Sequence, residues 1–132
     1  MGNKFQNFIT GLQHIGIPTN DMEETVEFYS TLGFQIALQT VNHAADEKVA
    51  FLRMGDVTLE VYENKKAAMA HGALDHIALN VTDIEKVFQM AKEQGFFMLD
   101  TEIQFLPFWE QGVKFFTILG PNKEKVEFSQ YL

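Results

Sequence analysis

Leu12-Gln13-His14-Ile15-Gly16-Ile17 is answered 62 residues later by Leu74-Asp75-His76-Ile77-Ala78-Leu79. The correspondence continues without a gap: Asp21 falls on Asp83, Glu23 on Glu85, and Gly33-Phe34 on Gly95-Phe96. After a loop of different length, Leu59-Glu60-Val61 falls on Val126-Glu127-Phe128, with Gly55 ahead of the first tripeptide and Gly120 ahead of the second. Self-similarity over this length marks one supersecondary unit used twice.

Each half reads the same way. An alternating strand opens it, Gly11 to Ile17 and Ala73 to Val81. A helix follows, capped by Asn20 or Asp21 in the first half, with acidic residues in its first turn that suit the helix dipole. In the second half Thr82-Asp83-Ile84-Glu85 has capping-box spacing. Gly33 and Gly95 stand where a left-handed C-cap ends a helix. Three strand-like runs complete each half: Phe34–Asn42, Lys48–Met54 and Val57–Tyr62, then Phe96–Thr101, Val113–Leu119 and Glu124–Ser129. The unit is β-α-β-β-β. The expected fold class is α+β, with two tandem βαβββ modules at about 9–63 and 73–130 in a single domain over 1–132, joined by the polar, alanine-rich stretch Asn64–Gly72.

Strand side chains alternate faces. Ile15 and Ile17 share one face, and His14 lies on the other with Leu12 and Gly16; Ile77 and Leu79 are opposed in the same way by Leu74, His76 and Ala78. Glu60 and Glu127 each stand between two apolar neighbours and so point away from the helix-packed side. Taken singly, a strand glutamate is usually a solvated outer residue. Here two histidines and two glutamates occupy repeat-equivalent positions on one expected face. A pseudo-two-fold axis would bring such positions together, giving a mixed N/O site suited to Zn, Ni, Co, Mn or Fe(II). His43 and His71 lie in polar loop contexts without repeat partners and are expected to be solvent-exposed.

Composition narrows the alternatives. The chain has 132 residues, 46% hydrophobic and 21% charged, which is ordinary globular usage. With no cysteine, a disulfide scaffold, thiolate metal sites and cysteine nucleophiles are excluded. The net charge is -8 and Arg53 is the only arginine, so there is no basic stripe for nucleic acid or for an anionic membrane surface. No run approaches a membrane span of roughly 20 apolar residues. The N-terminus lacks the apolar core of a signal peptide. The expectation is a soluble cytoplasmic protein. Asn3–Phe8 is expected as either a frayed start or a dimer contact.

On these residues the chain resembles the vicinal-oxygen-chelate (VOC) superfamily, and within it the glyoxalase I, or lactoylglutathione lyase, group. Phe28-Tyr29-Ser30-Thr31-Leu32-Gly33-Phe34, Gly120-Pro121-Asn122 and the two histidine-bearing strands carry the resemblance, which covers residues 9–130. It implies paired modules in a curved mixed sheet around a metal site, the glyoxalase/bleomycin resistance/dioxygenase fold. It also implies one divalent ion (Ni, Co, Zn or Mn) held by His14, Glu60, His76 and Glu127. The order His, Glu, His, Glu is similar to that of the isomerase and epimerase side of the family. Dioxygenases and fosfomycin-modifying enzymes typically lack the ligand at the position of Glu60.

The implied activity is that of a lyase or isomerase acting through a metal-bound enediolate on a small substrate with two vicinal oxygens. By resemblance Glu127 is the base and Glu60 the second catalytic carboxylate. The alternatives are a same-fold epimerase, dioxygenase or thiol transferase, or a non-catalytic binder of a small molecule such as an antibiotic. Where glutathione-dependent relatives place a basic residue, this chain has Pro18; Asn64 matches a polar contact of that group. A homodimer is expected, as the family implies.

The connection Glu102-Ile103-Gln104-Phe105-Leu106-Pro107-Phe108-Trp109-Glu110-Gln111-Gly112 has no length-matched counterpart in the first half. Its large apolar residues are costly in water. Two expectations follow: packing on the chain's own core or on a second subunit, or an apolar wall beside the metal for a substrate with an apolar portion.

Overall fold

The computed structural model describes residues 7, 8, 10–72 and 74–132. Residues 3–6 of the Asn3–Phe8 stretch, and Ala73 at the expected start of the second module, lie outside the described residues. The chain divides into two compact units, Met1–Lys66 and Ala67–Leu132. The division falls inside the expected connecting stretch Asn64–Gly72.

The first unit holds β1 (Ile15–Pro18), α1 (Met22–Leu32), β2 (Gln35–Asn42), β3 (Glu47–Met54) and β4 (Val57–Tyr62) in a sheet of order β1-β4-β3-β2. The second holds β5 (His76–Asn80), α2 (Ile84–Glu93), β6 (Phe97–Met98), β7 (Gln104–Leu106), β8 (Val113–Leu119) and β9 (Lys125–Tyr131), ordered β5-β9-β8-β6 with β7 also on β8. Both sheets are mixed: β1 runs parallel to β4 and β5 parallel to β9, while the other pairs are antiparallel. The class is α+β, as the repeat implied.

The helices begin and end for local reasons. Asp21 caps α1, its carboxylate accepting from the backbone N–H of Glu24 at 3.0 Å. Asp83 caps α2 by accepting from Lys86 N at 3.2 Å. The cap is therefore Asp83, one residue later than the capping-box spacing from Thr82 suggested. Gly33 and Gly95 take left-handed φ of 109° and 77°. Behind them Phe34 N and Phe96 N donate to Tyr29 O and Ala91 O, so each helix ends in the six-to-one bond that a left-handed glycine permits.

A further device is shared by both halves. Met22 N donates to Glu63 Oε2 and Ile84 N to Gln130 Oε1, each at 2.8 Å. A residue just after the last strand of the first unit, and one within the last strand of the second, thus satisfies one orphan N–H at the first turn of its own helix. The helix-side faces make the cores. Tyr29, Leu52, Leu59 and Val61 are fully buried in the first unit, as are Ile84, Phe116, Ile118 and Val126 in the second. Phe116 meets Phe88 edge-on at 5.0 Å and tilts against Phe128 at 5.0 Å.

The second unit departs from the expected plan in two places. β6 stops at Met98 rather than Thr101, because Leu99 N and Asp100 N both donate to Thr117 O while Asp100 Oδ2 accepts from Thr117 N. A side chain has taken the ladder partner that a continued strand would need. The vacated stretch of β8 is filled by β7, from the segment read as an irregular connection: Gln104 pairs with Phe115 and Leu106 with Val113. This segment is not packed into its own core. Phe105 and Phe108 are each 55% exposed, and Trp109 is 75% exposed with its ring edge-on to Tyr131 at 5.7 Å.

Leu59→Ala removes a fully buried side chain next to Glu60 and is expected to lower unfolding free energy by about 2–5 kcal/mol in urea titration. Trp109, the sole tryptophan, is expected to emit with the red-shifted fluorescence of a wet indole and to be quenched by acrylamide. A blue-shifted, protected spectrum in the isolated protein would show the segment covered.

Candidate metal centre

Parallel pairing positions a histidine and a glutamate within each unit. In the first unit Gly16 stands opposite Glu60 across β1 and β4, and His14 lies two residues before Gly16 on the same face. In the second, Ala78 stands opposite Glu127 across β5 and β9, with His76 two residues before it. Each imidazole comes close to the glutamate of its own unit. His14 Nε2 lies 3.5 Å from Glu60 Oε1, and His76 Nε2 lies 3.6 Å from Glu127 Oε1. The sequence pattern placed each histidine on the face of its glutamate, and each unit brings them into contact. Within either unit no third His, Cys, Asp or Glu among the described residues joins the pair in an arrangement able to hold a metal ion.

The two pairs differ in their surroundings. Glu60 is flanked across β3 by Phe51, whose ring meets His14 edge-on at 5.8 Å. Glu127 is flanked across β8 by the buried Thr117, and its side chain is 18% exposed against 30% for Glu60. Burial pushes the Glu127 carboxyl above the ordinary glutamate range; His76 pulls it down and Asp100 adds to the rise. A group of this kind holds a proton more readily than a free glutamate.

Both histidines are also held from behind. His14 Nδ1 lies 3.0 Å from Gln13 Oε1, and His76 Nδ1 lies 2.9 Å from Asp75 Oδ2. Asp75 is further bound by Lys125 Nζ at 3.2 and 3.4 Å, and His71 Nε2 stands 3.7 Å from it. The His76 and Lys125 contacts hold the Asp75 carboxyl below the usual range. His43 and His71 are exposed, as expected. Sequence reading missed Asp75 and Gln13. Their only signal was position, immediately before each repeated histidine.

Other expected contacts fall elsewhere. Arg53 is exposed and donates from Nε to Thr58 Oγ1. Asn64 Oδ1 accepts from Lys66 N, which closes a local turn. A cavity of about 640 Å³ in the first unit is lined by residues such as Val41, Lys48, Glu63 and Asn64, and includes neither His14 nor Glu60. Among the described residues no helix is long and apolar enough to cross a membrane.

The chain belongs to the Glyoxalase/Bleomycin resistance protein/Dioxygenase superfamily, whose family model matches residues 11–127. Among curated proteins it is similar to the uncharacterized protein YwbC of Bacillus subtilis (strain 168), 29% identical over 90% of this chain and 96% of that one. Among solved structures it is similar to a glyoxalase family protein from Enterococcus faecalis, with a TM-score of 0.78 and 22% identity over 92% of this chain and 98% of that one. It is also similar to the genomically encoded fosfomycin resistance protein FosX from Listeria monocytogenes, complexed with Mn(II) and sulfate. There the TM-score is 0.74 and the identity 14%, over 94% of each chain.

Because the folded protein favours the protonated form of Glu127, its contribution to stability is fully present below the ordinary glutamate pKa and is lost as pH rises through the elevated folded value. In metal-free protein, Glu127→Gln is expected to melt increasingly above wild type as pH rises across that window. Differential scanning calorimetry from acid to neutral pH checks this; a melting difference independent of pH would count against a raised carboxyl.

Proposed function

We propose that this protein is a metal-dependent enzyme of the glyoxalase type, a lyase or isomerase acting on a small substrate with two vicinal oxygens, with one divalent ion held by His14, Glu60, His76 and Glu127. The observation that carries the reading is the repeated histidine–glutamate pair, 3.5 Å apart in the first unit and 3.6 Å in the second. The donors fit the ion: two imidazole nitrogens and two carboxylates, with no thiolate in the chain, suit Ni, Co, Zn or Mn. When bound, such an ion supplies Lewis acidity toward the two substrate oxygens.

The chain's own residues do the rest. His14 and His76 serve as neutral ligands through Nε2. Glu127, the base that the family resemblance implies, takes the proton from the carbon beside the substrate carbonyl and returns it to the neighbouring carbon. Glu60 is its repeat counterpart on the other half. The exposed aromatic segment around Trp109 and Tyr131 is continuous with the face of β9 that carries Glu127: Glu127, Ser129 and Tyr131 alternate onto one side. That continuity supports a substrate with an apolar portion. Pro18, where glutathione-dependent relatives are basic, favours a substrate other than a glutathione adduct. A homodimer and a cytoplasmic location complete the proposal.

The test strips the protein with chelator, reloads Ni, Co, Zn or Mn, and measures bound metal and turnover of methylglyoxal plus glutathione for wild type and Glu127→Gln. The expected result is one ion per chain, with turnover of the hemithioacetal falling about 10²–10⁴-fold in the variant. Tight metal without turnover of the hemithioacetal moves the search to other vicinal-oxygen substrates, an epimerase or transferase among them. No metal under any loading overturns the reading and leaves a small-molecule binding protein.

A further inference from the structure

The residue before each repeated histidine makes the same contact in both units. Gln13 Oε1 meets His14 Nδ1 at 3.0 Å, and Asp75 Oδ2 meets His76 Nδ1 at 2.9 Å. An amide or carboxylate oxygen accepts and cannot donate. With Nδ1 as the donor in each contact, the neutral ring keeps its lone pair on Nε2. Nε2 is the atom that faces the glutamate, at 3.5 Å in one unit and 3.6 Å in the other. Two halves of differing sequence thus arrive at one ring orientation.

We propose that Gln13 and Asp75 are positioning residues that fix the Nε2 lone pairs of His14 and His76 toward the metal, and that Asp75 makes His76 the stronger ligand. The inference rests on the ligand assignment of the preceding section. Acceptors behind a ligating imidazole fix its tautomer and raise its basicity, and a charge-assisted bond is stronger than a neutral one. Asp75 carries a charge where Gln13 carries an amide. Its carboxylate is kept in place by Lys125, which stands opposite His76 across the β5–β9 ladder. In the first half the position corresponding to Lys125 is Thr58, which instead accepts from Arg53. His76 is therefore the more firmly supported of the two imidazoles. A purely structural role for Asp75 predicts little, because exposed ion pairs contribute almost nothing to stability and Asp75 is 49% exposed.

The experiment compares wild type, Asp75→Ala, Asp75→Asn and Gln13→Ala as full-length chains. Long-range ¹H–¹⁵N spectra of the metal-free proteins report the tautomers of His14 and His76, and chelator competition with Co(II) or Zn(II) gives dissociation constants. Expected are Nδ1–H tautomers for both rings in wild type, a mixed His76 tautomer in Asp75→Ala, and metal binding weakened about 10–100-fold there. Asp75→Asn, which keeps an acceptor oxygen, recovers most of the loss, and Gln13→Ala loses less than Asp75→Ala. An Asp75→Ala protein with wild-type tautomer and wild-type affinity overturns the inference alone. A wild-type protein that takes up no ion overturns the ligand assignment and the inference with it.

Discussion

The parallel ladder between the first and last strand of each half is the constraint on which the rest depends. A parallel pair cannot be closed by a tight turn, so the chain travels through a helix and further strands, two in the first half and three in the second, before it returns. That detour determines which residues face each other: Gly16 meets Glu60, and Ala78 meets Glu127. A slip of one residue would turn Glu60 into the core and Leu59 out of it. The fully buried Leu59, Val61 and Val126, with the nearly buried Phe128, prevent this, because each anchors the helix side of its strand. The hydrophobic core and the histidine–glutamate pairs are thus two faces of one register, and neither can shift without the other.

Much of this was legible because the chain states it twice. A lone strand histidine carries little information; two at equivalent positions, each followed by a small residue at the same offset, identify a face. The repeat also gave the helices, their glycine ends and the order of the strands. What escaped was set by side chains reaching across sequence. Glu63 and Gln130 cap their own helices from more than 40 residues away, and no local pattern announces such a bond. Asp100 truncates β6 by occupying Thr117 N. β7 was hidden because Pro107 and a cluster of aromatics read as a loop, whereas the vacancy on β8 offered three residues a ladder to join. The neighbours behind the histidines were visible as letters, but their role needed geometry.

Duplication also explains where the halves diverge. The repeat holds the backbone of each unit to the same plan, while the residues around each glutamate are free to differ. Phe51 lies beside Glu60 and Thr117 beside Glu127; Gln13 stands behind one imidazole and Asp75 behind the other. Similar scaffolds thus leave the two carboxylates in unequal surroundings, and burial raises that of Glu127.

The contained ladders also bear on how the chain reaches its native state. Ile15 to Leu59 and Ile77 to Val126 are the sequence spans that must close before the parallel pairs form. Each closure lies within its own half, so its entropic cost is that of a loop of moderate length rather than one spanning the whole chain. The first half has all the residues of its own core by Lys66. On a ribosome it would be able to condense while the second is still being synthesised, limiting the time its edge strands are open to mispairing.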